Sequence, residues 1–598
     1  MGVAINCDNA LSEKEIDSSL NQHDAYKKWV LKHYPDSIER LEQQYQSEIL
    51  NNPNLISVII PIHNPKPKNL IEAVESVLGQ SYPYFEIILV NDSPADEVLE
   101  LLDKISLLSK KIKVINSSRS LGLSSAIKSV IELSQGKFLT VLEQDDLFWP
   151  NTLYEFAQVL HNKPDVEFIY CDEDKVLNEE RFNHFEPFFK PDWNPDFLLS
   201  INYIGHGSLW KRELLKNYKI HTAYEYEAEK WALNLWISRH FDRESIYHIE
   251  KVLYSWRVAN SGIDRTLFNA EPLLIQQKEL LIEHMELLGN HKDDILVTPK
   301  VYAPSAYDVH LAVNDKPLVS IVIPTKNQYQ ILKRCVDSLY SRTQYKNFEV
   351  IIVDTGSRDS KVLSWYNIAK EKYDNFRVYE FEERIFSYSN SCNFGAAKAK
   401  GSFLVMLNND TEIIQNDWLE IMLGAAQQKD VGCVGVQLWY PGHRALQHTG
   451  IATGVNGVAT NLMNGILAAD ITTNVQRYYT NFTHTITAVT AACMMIRTSV
   501  FKEVSGFDTN FRVTFNDVDL CLRVIEKGYR NIYLSDVELI HHESISVGHL
   551  DEEHRENDEF KKSEKLFRSC WSSYVEKDPN FNGNFSRVTS KFEIPNDY

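Results

Sequence analysis

The stretch richest in chemistry is GSFLVMLNNDTE, residues 401–412. Phe403 to Leu407 is a short apolar run with the length and composition of a buried strand, and it ends abruptly in Asn408, Asn409 and Asp410. A carboxylate flanked by carboxamides suits a hard divalent cation that itself holds a diphosphate, because Mg²⁺ and Mn²⁺ take oxygen ligands and accept few of them from protein. Open α/β sheets gather their ligands at such C-terminal strand tips. The plain alternative is a strand followed by an Asn/Asp turn, and on this stretch alone that alternative is the stronger. Two later groups add to it: Asp517 and Asp519 in FNDVDL, and the pair His541-His542. Taken singly, the aspartates suit the first turn of a helix, where negative charge is favoured, and the histidines suit a hydrogen-bonded loop.

The elements that would position these residues occur twice. SVIIPIHN at 57–64 returns as SIVIPTKN at 320–327, and FEIILVND at 85–92 returns as FEVIIVDT at 348–355, both displaced by 263 residues. GKFLTVLEQDD at 136–146 returns as GSFLVMLNNDT at 401–411, displaced by 265. A period this long means two whole domains from a duplicated ancestor rather than a solenoid. Each copy reads as an apolar strand ending in Pro and a polar loop, a helix with apolar spacing (Leu70, Val74, Val77; Ile331, Cys335, Leu339), a second strand, an acidic loop, and a third strand with an acidic tip. Strands alternating with helices predict parallel βαβ units and a doubly wound sheet. Right-handed crossovers then bring the loops at the strand C-termini to one edge.

Length and composition bound the rest. A chain of 598 residues is too long for one core. Lys and Arg number 62 against 82 Asp and Glu, a formal charge of −20, which argues against nucleic acid as a partner. No apolar run approaches the ~18–20 residues of a membrane span, and the start MGVAINCDNALSEKE lacks the layout of a signal peptide. Gly2 invites comparison with a myristoylation start, but Asn6 stands where Ser or Thr is needed. The eight cysteines, at 7, 171, 335, 392, 433, 493, 521 and 570, show no CxxC spacing and read as reduced, mostly buried residues of a cytoplasmic protein. Trp418, Trp439 and Tyr440 read as packing rather than sugar platforms.

Both copies resemble family 2 glycosyltransferases of the GT-A fold, and the tandem arrangement resembles bacterial two-domain enzymes of O-antigen, capsule and rhamnan synthesis. The resemblance covers roughly residues 53–262 and 316–548. It implies an α/β chain with two GT-A (Rossmann-like, mostly parallel sheet) domains and an inverting, metal-dependent transfer. In the second copy it gives Pro324, Thr325, Asn327 and Asp354 to the nucleotide, Asn408-Asn409-Asp410 to the DxD-like tip, and Asp410 to the metal. ThrAlaValThrAlaAlaCys at 487–493 resembles an acceptor-side loop, Asp517 matches the catalytic base, and His541-His542-Glu543-Ser544 resembles the loop with a third metal ligand, for which His542 is favoured. In the first copy Pro61, His63 and Asp92 match the nucleotide loops, although Asn91 is the strict counterpart of Asp354. Glu143, Asp145 and Asp146 form the tip, with Asp145 as the metal ligand. CysAspGluAspLys at 171–175, the run 187–196, AsnTyrIleGlyHis at 202–206 and Trp256-Arg257 fit the family closely. The base segment instead reads YEYEAEKWALNL, where Ala228 falls at the aspartate position and Glu227 or Glu229, one residue out of step, is left to substitute.

The expected organisation is a helical N-terminal extension at 1–52, transferase domains at 53–262 and 317–548 joined by a helix and linker at 263–316, and a tail at 549–598. Val297 to Pro317, with three prolines, reads as the linker. The expected function is a bifunctional transferase extending a surface polysaccharide, with a divalent cation (Mn or Mg) and UDP- or dTDP-sugars as donors. The acceptor is a glycan or lipid-linked glycan, and a lipid-linked one would put the protein at the inner membrane face. Two alternatives stand beside it: catalysis by the C-terminal domain alone, with the first as scaffold or acceptor-binding module, and a non-catalytic carbohydrate or nucleotide-sugar receptor. A nucleotidyltransferase would want a Gly-rich basic loop that neither copy has.

Overall fold

The computed structural model describes residues 13–93, 95–116, 130–177, 183–219, 224–258, 271–301, 303–542 and 558–595. Cys7, Gly2, Glu543 and Ser544 lie outside the described residues. The chain divides into two compact units, one of Met1–Trp193, Asn202–Leu288 and Ile594–Tyr598, the other of Asn194–Ile201 and Gly289–Glu593.

The first unit is built on β1 (Ile56–Ile62), β2 (Phe85–Asn91), β3 (Ile112–Asn116), β4 (Phe138–Val141), β5 (Leu147–Phe148), β6 (Phe168–Leu177), β7 (His184–Phe188), β8 (Ser208–Lys211) and β9 (Ile246–Val258). Their order is β3-β2-β1-β4-β8-β6-β9-β5, with β7 beside β6. β3, β2, β1 and β4 run parallel. Every residue of β1 and β2 is buried, as expected of parallel strands covered on both faces. The helix Pro67–Leu78 starts with proline at its first turn, where the missing N–H costs nothing, and it buries Leu70, Val74 and Val77 in the core with Ile87 and Leu89. The N-terminal helix Glu13–His33 sinks Tyr26 and Trp29 into the same unit.

The second unit repeats the scheme. β10 (Ile295–Lys300) and β11 (Ala303–Leu311) form a separate antiparallel pair. The main sheet comprises β12 (Val319–Thr325), β13 (Phe348–Asp354), β14 (Phe376–Glu380), β15 (Phe403–Leu407), β16 (Thr411–Ile413), β17 (Val431–Trp439) and β18 (Leu446–His448). After the small pair β19 (Ile451–Thr453) and β20 (Ala459–Asn461) come β21 (His484–Ile486), β22 (Cys493–Arg497) and β23 (Arg530–His541). Its order β14-β13-β12-β15-β22-β17-β23-β16 matches the first unit strand for strand. The stretch read as a linker is thus largely the β10–β11 hairpin; its prolines are tolerated because a two-stranded pair has only edges. Trp418 is fully buried and Trp439 nearly so, in keeping with packing roles. Cys171, Cys335, Cys392, Cys433, Cys493 and Cys521 are buried and unpaired, and Cys570 is exposed. No described helix is long and apolar enough to cross a membrane.

One device appears in both units at the strand ends opposite the acidic tips. Glu86 Oε1 accepts from Ser57 Oγ at 2.6 Å, Gln135 N at 2.6 Å and Gly136 N at 3.3 Å. Glu349 Oε1 accepts from Ser320 Oγ at 2.6 Å and Lys400 N at 2.8 Å, while Gly401 N donates to Ser320 Oγ at 2.8 Å. A Cβ on Gly136 or Gly401 would stand 2.5 or 2.7 Å from the serine oxygen, so only glycine lets the backbone enter this clamp.

Candidate active site

In the second unit the tip of β15 turns directly into β16, and β16 pairs with the end of β23 so that Thr411 faces His541. This register brings Asp410 Oδ1 to 3.0 Å from His541 Nε2. The other ring nitrogen, Nδ1, lies 2.8 Å from Gln447 Oε1 on β18, and Asn408 Nδ2 lies 3.3 Å from Nε2. Burial raises the Asp410 carboxyl, but the hydrogen bond and charge of His541 outweigh it and hold the group below the ordinary carboxylate value. The histidine beside the tip is therefore His541 and not His542, which corrects the assignment from resemblance. Adjacent residues of a strand face opposite ways, and His542 instead meets Glu412 Oε2 at 2.8 Å and Arg334 Nη1 at 3.0 Å. A guanidinium so close also opposes a bound cation there.

Asp517 opens the helix Asn516–Glu526, whose first turn also holds Asp519. Its Oδ2 accepts from Ala491 N at 3.2 Å. The same turn, Thr490 to Ala492, receives Asn408 N on the Ala492 carbonyl at 3.0 Å and Tyr388 OH on the Ala491 carbonyl at 2.9 Å. The 487–493 loop thus stitches the β15 tip to the Asp517 helix. Burial pushes the Asp517 carboxyl up, tempered by the N–H groups of Ala491 and Val518, which strengthens it as a base. Asp519 is spent on structure: it accepts from Arg523 Nε at 2.8 Å and from Trp571 Nε1 at 3.0 Å.

The nucleotide-side residues lie on the neighbouring loops. Asp354 ends β13, and its Oδ1 accepts from Gly356 N at 2.9 Å and Ser357 N at 2.7 Å. Asn327, in the left-handed region at φ 55°, accepts from Arg358 N and Asp359 N at 2.8 and 3.0 Å. Thr325 Oγ1 accepts from Asn409 Nδ2 at 2.8 Å, tying the first-strand loop to the tip, and Pro324 pairs with Val353 across β12–β13. Pro324, Thr325, Asn327, Asp354, Asn408, Asn409, Asp410 and Asp517 are thus brought to one sheet edge. Sequence reasoning missed His541 as the ring that faces Asp410, and it missed Gln447, His448 and Tyr388. His448, pushed down to about 4 by burial and by its neighbour His541, is a neutral ring beside that histidine. Tyr388 could have been found only from the three-dimensional return of its helix.

The donor set fits a divalent cation. With Nδ1 anchored on Gln447 Oε1, Nε2 is held 3.0 Å from Asp410 Oδ1, and a divalent cation that displaces the Nε2 proton would find the two as adjacent ligand atoms. A histidine whose second nitrogen is anchored in this way is the usual arrangement around a bound metal.

The first unit keeps the frame and changes the groups. Pro61 and Asp92 lie at the strand-loop edge as expected, while His63 is exposed and exchanges backbone hydrogen bonds with the Gln144 amide at 2.9 Å. The tip carboxylates are taken up by protein. Asp145 Oδ1 accepts from Asn69 Nδ2 at 3.0 Å, and Asp146 accepts from Tyr254 OH at 2.6 Å and Arg257 N at 2.9 Å. Burial moves the Asp146 carboxyl up to about 7. β5 pairs with β9 as Leu147 to Ser255, so one step further Trp256 opposes Asp146 as His541 opposes Thr411. An indole N–H is a donor only, and that of Trp256 is buried without an acceptor. The first unit thus has no counterpart of His541 beside its tip, and Asp145, the expected metal ligand, is paired there with the Asn69 amide.

The carboxylates expected as the base are engaged elsewhere. Glu227 is exposed and pairs with Lys230 at 2.7 Å, and buried Glu229 accepts from Tyr218 OH at 2.7 Å. It is Lys230 that enters the edge, with Nζ at 3.5 Å from Glu143 Oε1 and 2.8 Å from His206 Nε2. Pairing of β4 with β8 (Phe138 to Lys211) and of β15 with β22 (Phe403 to Arg497) makes His206 the counterpart of Ala492. Lys230 therefore touches the same turn that Asp517 touches in the second unit. Of the polar side chains on the helix Tyr226–His240, Lys230 is the one that meets the His206 turn and the Glu143 tip, while Glu227 is exposed and Glu229 is held by Tyr218.

Comparison with known proteins follows this geometry. The family model described as glycosyl transferase family 2 matches residues 57–219 and 320–505. An uncharacterized protein of Sinorhizobium fredii, y4gI, is 34% identical over 91% of this chain and 59% of its own length. The O-antigen biosynthesis protein RfbC of Myxococcus xanthus is 30% identical over 82% of this chain and 38% of its own. The chain therefore spans less than two thirds of the length of these curated relatives. Among solved structures, GalNAc-T7 with UDP, GalNAc and Mn²⁺ aligns at 15% identity over 39% of this chain and 44% of that one, with a TM-score of 0.32. The mannosyltransferase PcManGT of Pyrobaculum calidifontis, in complex with GDP-Man and Mn²⁺, aligns at 15% identity over 52% and 81%, with a TM-score of 0.30.

Proposed function

The chain belongs to glycosyl transferase family 2, and from that premise we propose that its second unit transfers a sugar from a nucleotide-sugar donor to a hydroxyl of a glycan or lipid-linked glycan in surface-polysaccharide synthesis. The observation that carries this reading is the joining of Asp410–His541 and Asp517 through the single turn Thr490–Ala492.

The residues divide the work. The loops of Asp354 and Asn327 hold the nucleotide, and Asn408, Asp410 and His541 hold the cation. A bound divalent cation would neutralise charge on the departing diphosphate. Asp517 accepts the proton of the acceptor hydroxyl as its oxygen bonds to the anomeric carbon. The bond from that carbon to the diphosphate oxygen breaks on the opposite face, releasing nucleoside diphosphate and inverting the carbon. An alcohol near pKa 15 is a poor nucleophile, and help from a placed base contributes ~10²–10⁴ in rate. UDP- and dTDP-sugars are the donors to test first. O-antigen biosynthesis in the name of the Myxococcus relative supports the polysaccharide setting. The first unit, with Trp256 at the register of His541 and Lys230 against the His206 turn, favours catalysis by the second unit alone over two catalytic sites.

The test is turnover of UDP-, dTDP- and GDP-sugars with Mn²⁺ or Mg²⁺ by wild type, Asp410→Asn and Asp517→Asn. Loss of all transfer in each variant, with the fold intact by circular dichroism, is expected. Full turnover by both variants overturns the reading.

A further inference from the structure

The first unit retains the loops of a donor site but carries its own cation. Its Asp145 and Asp146 carboxylates are hydrogen-bonded to protein, and Trp256, a donor only, stands at the register of His541. Lys230 projects from the helix Tyr226–His240 to 2.8 Å from His206 Nε2 and 3.5 Å from Glu143 Oε1. Its ammonium is 2.7 Å from Glu227, whose side chain is 55% exposed. An exposed i,i+3 pair of this kind is worth ~0–1 kcal/mol, so Glu227 is a weak partner that an incoming anion can displace. The Lys230 side chain itself is largely buried, at 16% exposure, where a charge interacts strongly with a ligand.

We propose that the first unit is a non-transferring site that binds a nucleoside diphosphate without any divalent cation, Lys230 supplying the positive charge. Lys230 reaches the tip carboxylate Glu143, beside which the diphosphate would lie, and its helix presents no free buried carboxylate as a base, Glu229 being bonded to Tyr218, so the ligand is held and not consumed. This inference rests on the reading of the two units as copies of one nucleotide-sugar transferase site.

The experiment is calorimetric titration of the full chain carrying Asp410→Asn with UDP, dTDP and GDP in EDTA. One of the three is expected to bind at one equivalent. Lys230→Met is expected to weaken it by about tenfold, equivalent to about 1.4 kcal/mol. Glu227→Gln, an exposed change that spares the fold, is expected to tighten it by removing the competing carboxylate. Failure of all three nucleotides to bind without a divalent cation overturns the inference, as does binding that neither Lys230→Met nor Glu227→Gln alters. The underlying reading is judged separately, by donor turnover of wild type in Mn²⁺. If that turnover persists in Asp410→Asn the transferase reading fails, whereas turnover lost in Asp410→Asn with no binding in EDTA removes only the proposal for the first unit.

Discussion

The contrast between His541 and His542 offers the sharpest test of the site. The two are adjacent, yet His541 Nε2 lies 3.0 Å from Asp410 Oδ1 while His542 pairs with Glu412 and Arg334. His541→Ala removes one of two strong candidate ligands and leaves Asp410 with Asn408, a weaker one. If the cation contributes several kcal/mol to the transition state, loss of one of its two strong protein ligands should cost about 3–4 kcal/mol, or about 10²–10³ in kcat/KM. Gln447→Ala leaves the ring in place but frees Nδ1, and loss of such an outer partner typically costs about 10–100-fold in metal affinity. His542→Ala breaks a partly exposed pair and should change kcat/KM less than about threefold. The assay is initial-rate transfer at varied Mn²⁺ with saturating donor. Excess Mn²⁺ should largely rescue Gln447→Ala and should not rescue His541→Ala. A severe loss in His542→Ala with near-normal His541→Ala would refute the reasoning and restore the assignment made from resemblance.

Two other outcomes follow from the packing. Asp519→Asn should lower stability by about 1–3 kcal/mol, because it leaves the Arg523 and Trp571 donors short of a charged acceptor; chemical denaturation midpoints check it, and an unchanged midpoint counts against the structural role given to Asp519. His248, in the first unit, lies with Nε2 at 2.8 Å from Asp172 and Nδ1 at 3.2 Å from Asp192, with Glu250 also near and Tyr170 stacked on its ring. Burial disfavours its charge, but Asp172 and then Asp192 outweigh burial and raise it to about 9. A group raised on folding stabilises fully below its unfolded value of about 6.5 and loses that contribution as pH rises through about 9. The effect is on the order of 3 kcal/mol at 1.36 kcal/mol per unit. Melting temperature should fall between pH 7 and 9.5 in wild type and stay flatter in His248→Gln.

Much of this architecture was written in repeated strings. Apolar runs such as SVIIPI and SIVIPT can only be buried strands, and the offsets of 263 and 265 residues fix two copies without any alignment. The acidic tips were legible for the same reason, since they interrupt apolar runs. What failed was orientation at single-residue resolution. In His541-His542 both residue types suit a metal, and only the pairing of β16 with β23 decides which ring faces Asp410. In EAEKWALN three ionisable side chains lie within four residues, and only the folded helix shows that Lys230 meets His206 while Glu227 faces solvent. The β10–β11 hairpin escaped notice because prolines that would break a central strand are harmless in a pair with two open edges. Residues such as Gln447 and Tyr388 carry no local signal, since their place depends on strands and helices that return from far along the chain.

The Ser–Glu–Gly clamp suggests how two such different sites came to share one scaffold. It fastens the loop before β4 and β15 at the strand ends away from the acidic tips, and it is present in both units. Heritable variation at the tips is therefore decoupled from the part of the fold that sets strand order. At the tips the two units differ: Trp256 stands at the register of His541, and Lys230 meets the turn that corresponds to the one Asp517 meets. The same separation makes the molecule a natural subject for grafting. Trp256→His changes only the tip end, and the clamped end supplies the frame that holds the new side chain in register.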